Sequence, residues 1–547
     1  MSFIYGTLSE PRLKRLLGDL QKKSEETAFS SESLAGEVNS LSIDSEQHEI
    51  KLANHEDRIT TNEASISSYG VRINSLEALT TSHSLRLTNA EADILASESR
   101  LDGHDTEIDA INRSIVTNEA EFAAALARPE RIYIRGTVTI AGQFTNTIPI
   151  HIIGEPGSKL VFSNATYFLN MASSITIENL AVEGISRDQG YFINIGGTSR
   201  AGSNAWLRIN NCSFRLMGNV VTMTGSGSAP LGPRTVVKHC RVSEIGSTSF
   251  TQLGQESAFY ITWHIGLTLF DDVHFENIHG NCLYFGQSAV KGVHTLGEAT
   301  IVRNCYLKDF NRNGIEAFTA ALVYAINNTI TGGLGSFTNT LSDSGIGISL
   351  TGGDSIADGN IVYNVSNYGI EVYRSNNKVV NNIIEKLSED SPQSFGISID
   401  TCTNTLVDNN QLSDIKHATI NPKYGIKARV SSGVTITNNK FINVSYACWI
   451  DNLCESIDFI NNQMLLERDS GAFAVRAFKA FSGNKHMVIH NRVRLGTVIA
   501  GLFTPTDKQE TFEFAAGIGG YYDYTSGLIT AGGTPLSFGN VSPNIVV

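Results

Sequence analysis

A four-residue pattern that recurs along most of this chain restricts its fold more than any other feature. Twelve segments begin at Asn179, Asn211, His239, Asp272, Asn304, Asn327, Gly359, Asn381, Asn409, Asn438, Asn461 and His490. The fourth residue of every segment is apolar, as in Val182, Phe214 and Phe441. The segments begin 22 to 33 residues apart, which is the period of a solenoid.

Each repeat contains three short strand patterns. In GVTITNNKFINVSYACWID (433–451), one strand precedes the double asparagine, a second follows it, and a third surrounds Cys448 and Ile450. Three short strands per turn, each paired with its copy one turn away, predict an all-β fold, a parallel β-helix. A propeller would need four strands in every 40 to 50 residues, and a sandwich would show irregular spacing.

The second position of the pattern predicts two kinds of stack. It is asparagine in the last seven repeats, at Asn328, Asn360, Asn382, Asn410, Asn439, Asn462 and Asn491. Stacked amides bond to one another along the axis. Earlier repeats place Leu180, Cys212, Cys240, Val273 and Cys305 there, so we expect an apolar stack in that half.

Composition argues against several classes of protein. The net charge of -13 disfavours a nucleic-acid partner. Seven cysteines without CxxC spacing favour buried free thiols over disulfides or zinc. The first twenty residues lack a signal-peptide core, and no run of about 18 apolar residues follows, so we expect a soluble product of a cytoplasm with no membrane partner. Without EF-hand spacing, we expect no metal and no cofactor.

The N-terminal hundred residues carry a different pattern. An apolar residue recurs at every seventh position, at Ile59, Ile66, Ile73, Leu87, Ile94, Leu101, Ile108, Ile115 and Phe122, with a lapse at Thr80. This heptad stripe of mainly β-branched residues disfavours a parallel dimer and predicts a trimeric coiled coil. The alternative is a helix packed along the body of its own chain, but we find no break that would let it fold back.

These patterns divide the chain into five predicted regions. They are an attachment segment (1–22), a trimeric coiled coil (23–118), a β-helix cap with the first coil (119–160), a parallel β-helix (161–503) and a C-terminal β cap or trimerisation segment (504–547). The last region follows from the loss of the repeat after about Thr504 and from the need to cover an open solenoid end.

Taken together, the heptads and the β-helix resemble bacteriophage tailspike proteins. The junction NEAEFAAALARPERIYIRGTVTIAG is similar to the capping helix that opens their β-helices. The resemblance implies a right-handed, pectate-lyase-like β-helix in a homotrimer on the virion, attached through residues 1–22 to the phage tail or an adaptor protein. It also implies that the protein binds, and cleaves, a bacterial surface polysaccharide such as capsule or O-antigen. It carries no catalytic motif to transfer.

Strand alternation predicts where the site lies. In the third strand of successive coils we expect an exposed strip of Glu316 and Phe318, Gly347 and Ser349, Glu371 and Tyr373, Ser398 and Asp400, Lys427 and Arg429, and Trp449 and Asp451. The same face is expected to include Tyr260 and Tyr284 upstream and Arg476 downstream. Of these, we expect Tyr284, Tyr373, Lys427, Arg429, Trp449, Asp451 and Arg476 to bind substrate, since aromatic rings stack on sugars and charged groups bind hydroxyl and acidic groups.

Coil spacing ranks the carboxylates of this strip. Glu316 and Glu371, two coils apart, would lie roughly 9 to 10 Å apart, near the separation of an inverting glycosidase. Asp400 is one coil from Glu371, closer to a retaining pair. We therefore expect Glu371 to be catalytic with either Glu316 or Asp400, and Asp343 in the neighbouring loop as a reserve.

Two other functions use the same strip. A polysaccharide lyase would employ Tyr373, Lys427 and Arg429 on an acidic polymer. A non-catalytic receptor-binding spike would bind the polymer and leave it intact. Individually, each carboxylate could also be an ordinary solvated surface acid.

Overall fold

Short parallel strands make up most of the described part of the chain. The computed structural model describes residues 82–83, 85–96, 113–129, 131–164, 166–187, 189–196, 202, 204–224, 232–246, 257–262, 266–286, 299–333, 345–387, 394–415, 424–451, 453–469, 476–480, 487–489, 491–499, 502–505, 512–514, 520–523, 528–531, 534–535 and 545–546. The chain divides into two compact units, Met1–Ser84 and Leu85–Val547. Most of the predicted coiled coil and attachment segment lies outside the described residues.

The strands of the second unit form three sheets, and each turn of the chain contributes one strand to each sheet. The first sheet contains Arg113–Val116, Arg131–Ile134, Ile150–Gly154, Ile175–Glu178, Trp206–Asn210, Arg234–Lys238, Thr268–Asp271, Thr300–Arg303, Val323–Ile326, Ile356–Asp358, Lys378–Val380, Leu406–Asp408, Ser432–Thr437, Glu455–Ile460 and Met487–Ile489. The second sheet contains Thr137–Ile140, Lys159–Phe162, Ala181–Gly184, Ser213–Met217, Arg241–Ile245, His274–Ile278, Tyr306–Phe310, Thr329–Gly333, Ile361–Tyr363, Ile383–Glu385, Gln411–Ser413, Lys440–Ile442, Gln463–Asp469 and Arg492–Ile499. The third sheet contains Phe144–Asn146, Tyr167–Met171, Tyr191–Ile195, Asn219–Met223, Ser257–Thr262, Asn281–Gly286, Asn313–Phe318, Ile346–Leu350, Tyr368–Tyr373, Phe395–Asp400, Tyr424–Arg429, Tyr446–Ile450 and Arg476–Ala480.

All pairings among these strands are parallel, and each strand pairs with its copy in the next coil. The predicted all-β parallel β-helix is therefore confirmed. Beyond it, Leu502–Pro505 pairs antiparallel with Arg492–Ile499, and Ile545–Val546 pairs parallel with that same strand. The third sheet continues into Phe512–Phe514, Gly520–Asp523, Leu528–Ala531 and Thr534–Pro535, and the last three pairings of this series are antiparallel.

The repeated four-residue pattern forms the corner between the first and second sheets. Its first residue has a positive φ in every described repeat, for example 52° at Asn327 and 65° at Gly359. This left-handed conformation favours asparagine, aspartate and glycine. The fourth residue points inward, so Phe214, Phe275 and Phe441 are fully buried. The pattern recurs because every coil needs the same corner and the same core contact.

The second residue of the pattern forms the predicted asparagine ladder. Asn360, for example, donates its side-chain amide to Asn382 Oδ1 at 2.9 Å and to the carbonyl of Ala325 at 2.8 Å. The same bond to the next asparagine recurs through Asn410, Asn439, Asn462 and Asn491. In the earlier coils Cys212, Cys240 and Cys305 are buried free thiols, as expected.

A short helix covers the first coil. Glu119–Ala125 begins at Asn118, whose side chain accepts a hydrogen bond from the Glu121 amide at 3.0 Å. Phe122 is buried in the β-helix core against Phe168, with ring centroids 5.3 Å apart. The heptad stripe was extended too far at this end, because Ile115 lies in the strand Arg113–Val116 and Phe122 lies in this helix.

A second helical segment, residues 85–96, lies on the outer face of the first sheet. Its buried residues Ala90 and Ile94 pack with Leu269, Ile301 and Tyr324. Glu91 also pairs with Arg303 of the first sheet. The heptad residue Ile94 therefore contacts the β-helix of its own chain, whereas the prediction placed it in the interface of a coiled coil.

Candidate functional site

A cavity of about 840 Å³ opens on the outer face of the third sheet. Glu316 and Glu371 line it, together with Phe318, Tyr373 and Tyr284. With Ser349, which also lines the cavity, six of the residues predicted from strand alternation are therefore brought to one place. Their order in the cavity follows from the pairing of the strands that carry them.

Two rows of outward side chains cross the third sheet from coil to coil. The carboxylate row runs Tyr260, Tyr284, Glu316, Ser349, Glu371, Ser398, Lys427 and Trp449. The second row contains the residues two positions further along the chain, Thr262, Gly286, Phe318, Thr351, Tyr373, Asp400, Arg429 and Asp451. Within it, Thr262 pairs with Gly286, and Asp400 pairs with Tyr373 and Arg429. Equal spacing between coils fixes the distances within each row.

The expected position of Gly347 in this strip was wrong. A Cβ at Gly347 would lie 2.5 Å from Val362 Cγ1 and 2.6 Å from the Gly369 carbonyl, so this position faces inward. Ser349 takes the place between Glu316 and Glu371. The sequence GIGIS contains two Gly-Ile pairs, and the first was aligned with the other coils instead of the second. The two-residue slip kept Ser349 on the outward side, but the alternation of sides does not extend back to Gly347.

Glu316 is held by a neighbouring cation. Arg312 Nη2 lies 3.1 Å from Glu316 Oε1, and both side chains are buried. The guanidinium of Arg312 offsets part of the cost of removing this carboxylate from water. Arg312 was not among the predicted site residues. It precedes the strand Asn313–Phe318, so alternation along the strand gave no reason to include it.

Glu371 has a neutral partner. The Ser349 hydroxyl donates to Glu371 Oε2 at 2.7 Å. Glu316 and Glu371 are 4% and 7% exposed, which corrects the expectation of a fully exposed strip. They lie two strand spacings apart, or about 9.6 Å by backbone geometry.

Asp400 belongs to a different cluster. Arg429 binds its Oδ2 through Nε at 2.8 Å and Nη2 at 2.5 Å, and Thr401 donates to Oδ1 at 2.8 Å. Asp400 is buried, and it is absent from the residues that line the cavity, although Thr401 is present. The carboxylate is therefore engaged by Arg429 on the flank of the cavity.

The two tyrosines at the cavity hold their protons more tightly than free tyrosine does. Burial, followed by the charge of Glu316, raises the pKa of Tyr284. Burial, followed by the charges of Glu371 and Asp400, raises the pKa of Tyr373. Both phenols therefore act as neutral hydrogen-bonding and stacking groups at neutral pH.

Lys427 and Trp449 lie beyond the cavity on the carboxylate row. Lys427 Nζ sits 4.7 Å from the centre of the Phe395 ring, and burial lowers the pKa of this lysine. Trp449 contacts Tyr424 edge to face, with ring centroids 4.6 Å apart. Asp451 follows in the second row. Burial, followed by Tyr446 and then Asp451, raises the pKa of Tyr424. These groups could extend a binding surface but do not line the cavity.

Two predicted residues cannot be placed in the site. Asp343 lies in 334–344, outside the described residues. The backbone of Arg476 pairs with Tyr446, not with Trp449, so it is not part of the carboxylate row. Lys479 pairs with Trp449 instead.

Within the described ranges, no group of three or more His, Cys, Asp or Glu side chains is arranged to hold a metal ion. Similarly, none of the helices in this part of the chain is long and apolar enough to span a membrane.

Comparison with known proteins supports the fold. The family described as "Right handed beta helix region" matches residues 257–420, which include both carboxylates of the cavity. A search of curated protein sequences finds no significant match.

Solved structures with similar folds include carbohydrate-modifying enzymes and phage proteins. The A-module of mannuronan C-5 epimerase AlgE6 from Azotobacter vinelandii is 11% identical, with 74% of this chain and 99% of that chain covered and a TM-score of 0.37. Tailspike protein 3 of bacteriophage CBA120 is 12% identical, with 76% and 66% covered and a TM-score of 0.33. A double mutant of the tailspike protein of E. coli bacteriophage HK620 is 10% identical, with 74% and 76% covered and a TM-score of 0.33. The family match and the sheet topology agree on a right-handed parallel β-helix.

Proposed function

We propose that this protein is a polysaccharide hydrolase that cleaves glycosidic bonds in the third-sheet cavity. The observation that carries the proposal is the placement of Glu316 and Glu371 on one cavity, in register and separated by a single coil. Their spacing of about 9.6 Å is close to the roughly 6.5 to 9.5 Å of inverting glycosidases, where a water molecule fits between base and sugar.

The partners of the two carboxylates suggest their roles. Arg312 beside Glu316 favours a carboxylate that stays ionised, which suits the general base that activates water. Glu371 accepts a hydrogen bond from the Ser349 hydroxyl, and we assign it as the general acid that carries the proton for the leaving oxygen. Asp400 is a weaker candidate because Arg429 engages it outside the cavity.

The test is cleavage of capsular and O-antigen polysaccharides from a panel of candidate hosts. Molecular mass, new reducing ends and absorbance near 232 nm are followed together. Hydrolysis gives reducing ends without absorbance. Glu371→Gln and Glu316→Gln are each expected to lower the rate by about 100-fold or more, the usual contribution of general acid-base catalysis, while binding of the polymer persists. Full activity in Glu371→Gln would refute the assignment.

Elimination is the second candidate, favoured by one observation. The pKa of Lys427 is lowered by burial, as a catalytic base requires. It lies two coils from Glu371 and does not line the cavity. Absorbance near 232 nm would identify a lyase and direct attention to Lys427, Arg429 and Tyr373.

In its biological setting, we propose that the protein is a homotrimeric phage tailspike on the virion, attached to the tail or an adaptor through residues 1–22 and acting at the host cell surface. The heptad positions Ile59, Ile66 and Ile73, which precede the β-helix and lie outside the described residues, support this arrangement. If the receptor polymer is bound without loss of mass, the protein is a recognition spike and the hydrolase proposal is wrong.

A further inference from the structure

The second row of the cavity contains an apolar notch beside the carboxylates. Phe318, Thr351 and Tyr373 follow one another on three successive coils, and all three line the cavity. Thr351 is the small member between two aromatic residues. It lies next to Ser349, which occupies the same position between Glu316 and Glu371.

The hydroxyl of Thr351 is occupied by the backbone. It donates to the Ala317 carbonyl at 3.0 Å and accepts from the Thr319 amide at 2.7 Å. The methyl group is therefore the part of this side chain that remains available to the cavity, and the floor of the notch is apolar.

The ring of Phe318 borders the notch with one face. Its other face stacks on Tyr284, with centroids 6.5 Å apart and ring planes 19° from parallel. Tyr284 in turn stacks on Tyr260 at 5.0 Å. Because this stack extends toward earlier coils, the remaining face of Phe318 is directed toward the coil of Thr351. Phe318 is 43% exposed.

The width of the notch limits what it can hold. Phe318 and Tyr373 are two strand spacings apart, or about 9.6 Å. A sugar ring in van der Waals contact with an aromatic ring on each side lies about 3.5 to 4.0 Å from each of them. The two aromatic rings must then be roughly 7 to 8 Å apart. One saturated ring fits between these side chains, whereas two stacked rings do not.

We propose that this notch is the subsite for the sugar at the cleavage point, and that it selects a gluco-configured pyranose. The inference rests on the proposed function. A ring standing in the notch would place Glu316 and Glu371 near its opposite faces, as in-line displacement with inversion requires. An all-equatorial pyranose presents C–H groups on both faces to Phe318 and Tyr373. A galacto-configured ring carries an axial hydroxyl, which one apolar wall would leave without a hydrogen-bond partner.

The test uses NMR to measure saturation transfer from the full-length protein to methyl β-D-glucopyranoside and to methyl β-D-galactopyranoside, each at high millimolar concentration. The gluco-configured probe is expected to give several-fold stronger transfer. Thr351→Trp, which fills the notch, should abolish that difference. Equal transfer from both probes, or a preference that survives Thr351→Trp, overturns the proposal.

Two control variants separate filling of the notch from structural damage. Thr351→Val keeps the size of the side chain and removes its backbone hydrogen bonds, so it should retain the preference. Thr222→Trp introduces the same bulk on the third sheet, in register with Tyr260 and away from the cavity, and should also retain it. Thermal unfolding of each variant confirms folding.

The outcome is independent of the polysaccharide assay. If the protein cleaves its receptor polymer but shows no gluco preference, the subsite proposal is wrong and the hydrolase proposal stands. If it shows the gluco preference but leaves its receptor polymer intact, the subsite proposal stands and the hydrolase proposal is wrong.

Discussion

At the residue scale, the two cavity carboxylates differ in what holds them. Glu316 bonds to a buried guanidinium and Glu371 to a hydroxyl. Paired acids in different environments are the usual way in which one site obtains both an acid and a base near neutral pH. Because its hydroxyl bonds to Glu371, we propose that Ser349 is a positioning residue for this carboxyl group.

Ser349→Ala should lower kcat by about tenfold with little change in KM. The hydrogen bond is worth about 1 kcal/mol when one partner is lost, and it orients Glu371 without being placed to bind a distant part of the polymer. The basic side of the kcat–pH profile, which reports the general acid, should shift, and a purely structural defect would not cause this.

Ser398→Ala is the matched control for this change, since Ser398 follows Glu371 on the same row but does not line the cavity. Its kinetics should match those of the parent protein. An unchanged kcat and pH profile in Ser349→Ala would contradict the positioning role.

A buried lysine in the first sheet makes stability depend on pH. Lys378 is 3% exposed, and burial lowers its pKa to about 8, against about 10.4 in an unfolded chain. Between these values the unfolded state binds more protons, so stability rises with pH. Below about pH 8 the lysine is charged in both states and its burial is least favourable.

Lys378→Met should therefore raise the thermal unfolding midpoint at pH 7, and the gain should shrink as the pH rises from about 8 to 10.4. Differential scanning calorimetry of both proteins at pH 7 and pH 10 measures this. A gain of equal size at both pH values would show that packing, rather than the charge, is responsible.

At the element scale, the asparagine ladder ties neighbouring coils together. Asn410 Oδ1 accepts from the backbone and side-chain amides of Asn382, while its own amide bonds to Val379 and Asn439. Each interior asparagine thus satisfies backbone groups that would otherwise be buried without partners.

Asn410→Ala should cost about 3 kcal/mol or more of unfolding free energy, because several buried donors and acceptors lose partners at once and each costs about 1 to 3 kcal/mol. Chemical denaturation measures the change. The adjacent Asn409→Gly removes only an exposed bond to Asn381 and suits the positive φ of 52°, so it should change stability little. Similar losses in both variants would argue against the ladder.

The sequence was sufficient to predict the coils because the corner and the core contact repeat with every turn. It also predicted which strand carries Glu316 and Glu371. It did not predict their burial, because alternation gives the direction of a side chain and not what covers it. Gly347 was misplaced because the first of two Gly-Ile pairs was aligned with the other coils, and the alternation of sides does not extend back to this glycine. Arg312 was missed because it lies before its strand.

At the scale of the whole molecule, both carboxylates that we propose as catalytic line one cavity of a single chain. The predicted trimer concerns assembly. Light scattering of the full-length protein should give three chains per particle. The double substitution Ile66→Asn and Ile73→Asn introduces polar groups at two heptad positions and should lower the number of chains per particle. A monomer in the parent protein would refute the trimer.

The in-register pairing of the coils gives this surface a fixed unit of length. Functional groups on one row are separated by about 4.8 Å, about 9.6 Å or a higher multiple of the coil spacing, and intermediate separations do not arise from the backbone. Removing the coil that carries Ser349 would bring Glu316 and Glu371 to about 5 Å, which is the separation of retaining glycosidases. For a protein built this way, the stereochemistry of the reaction depends on how many coils stand between two glutamates, and a duplication or loss of one repeat can change it without creating a new catalytic residue.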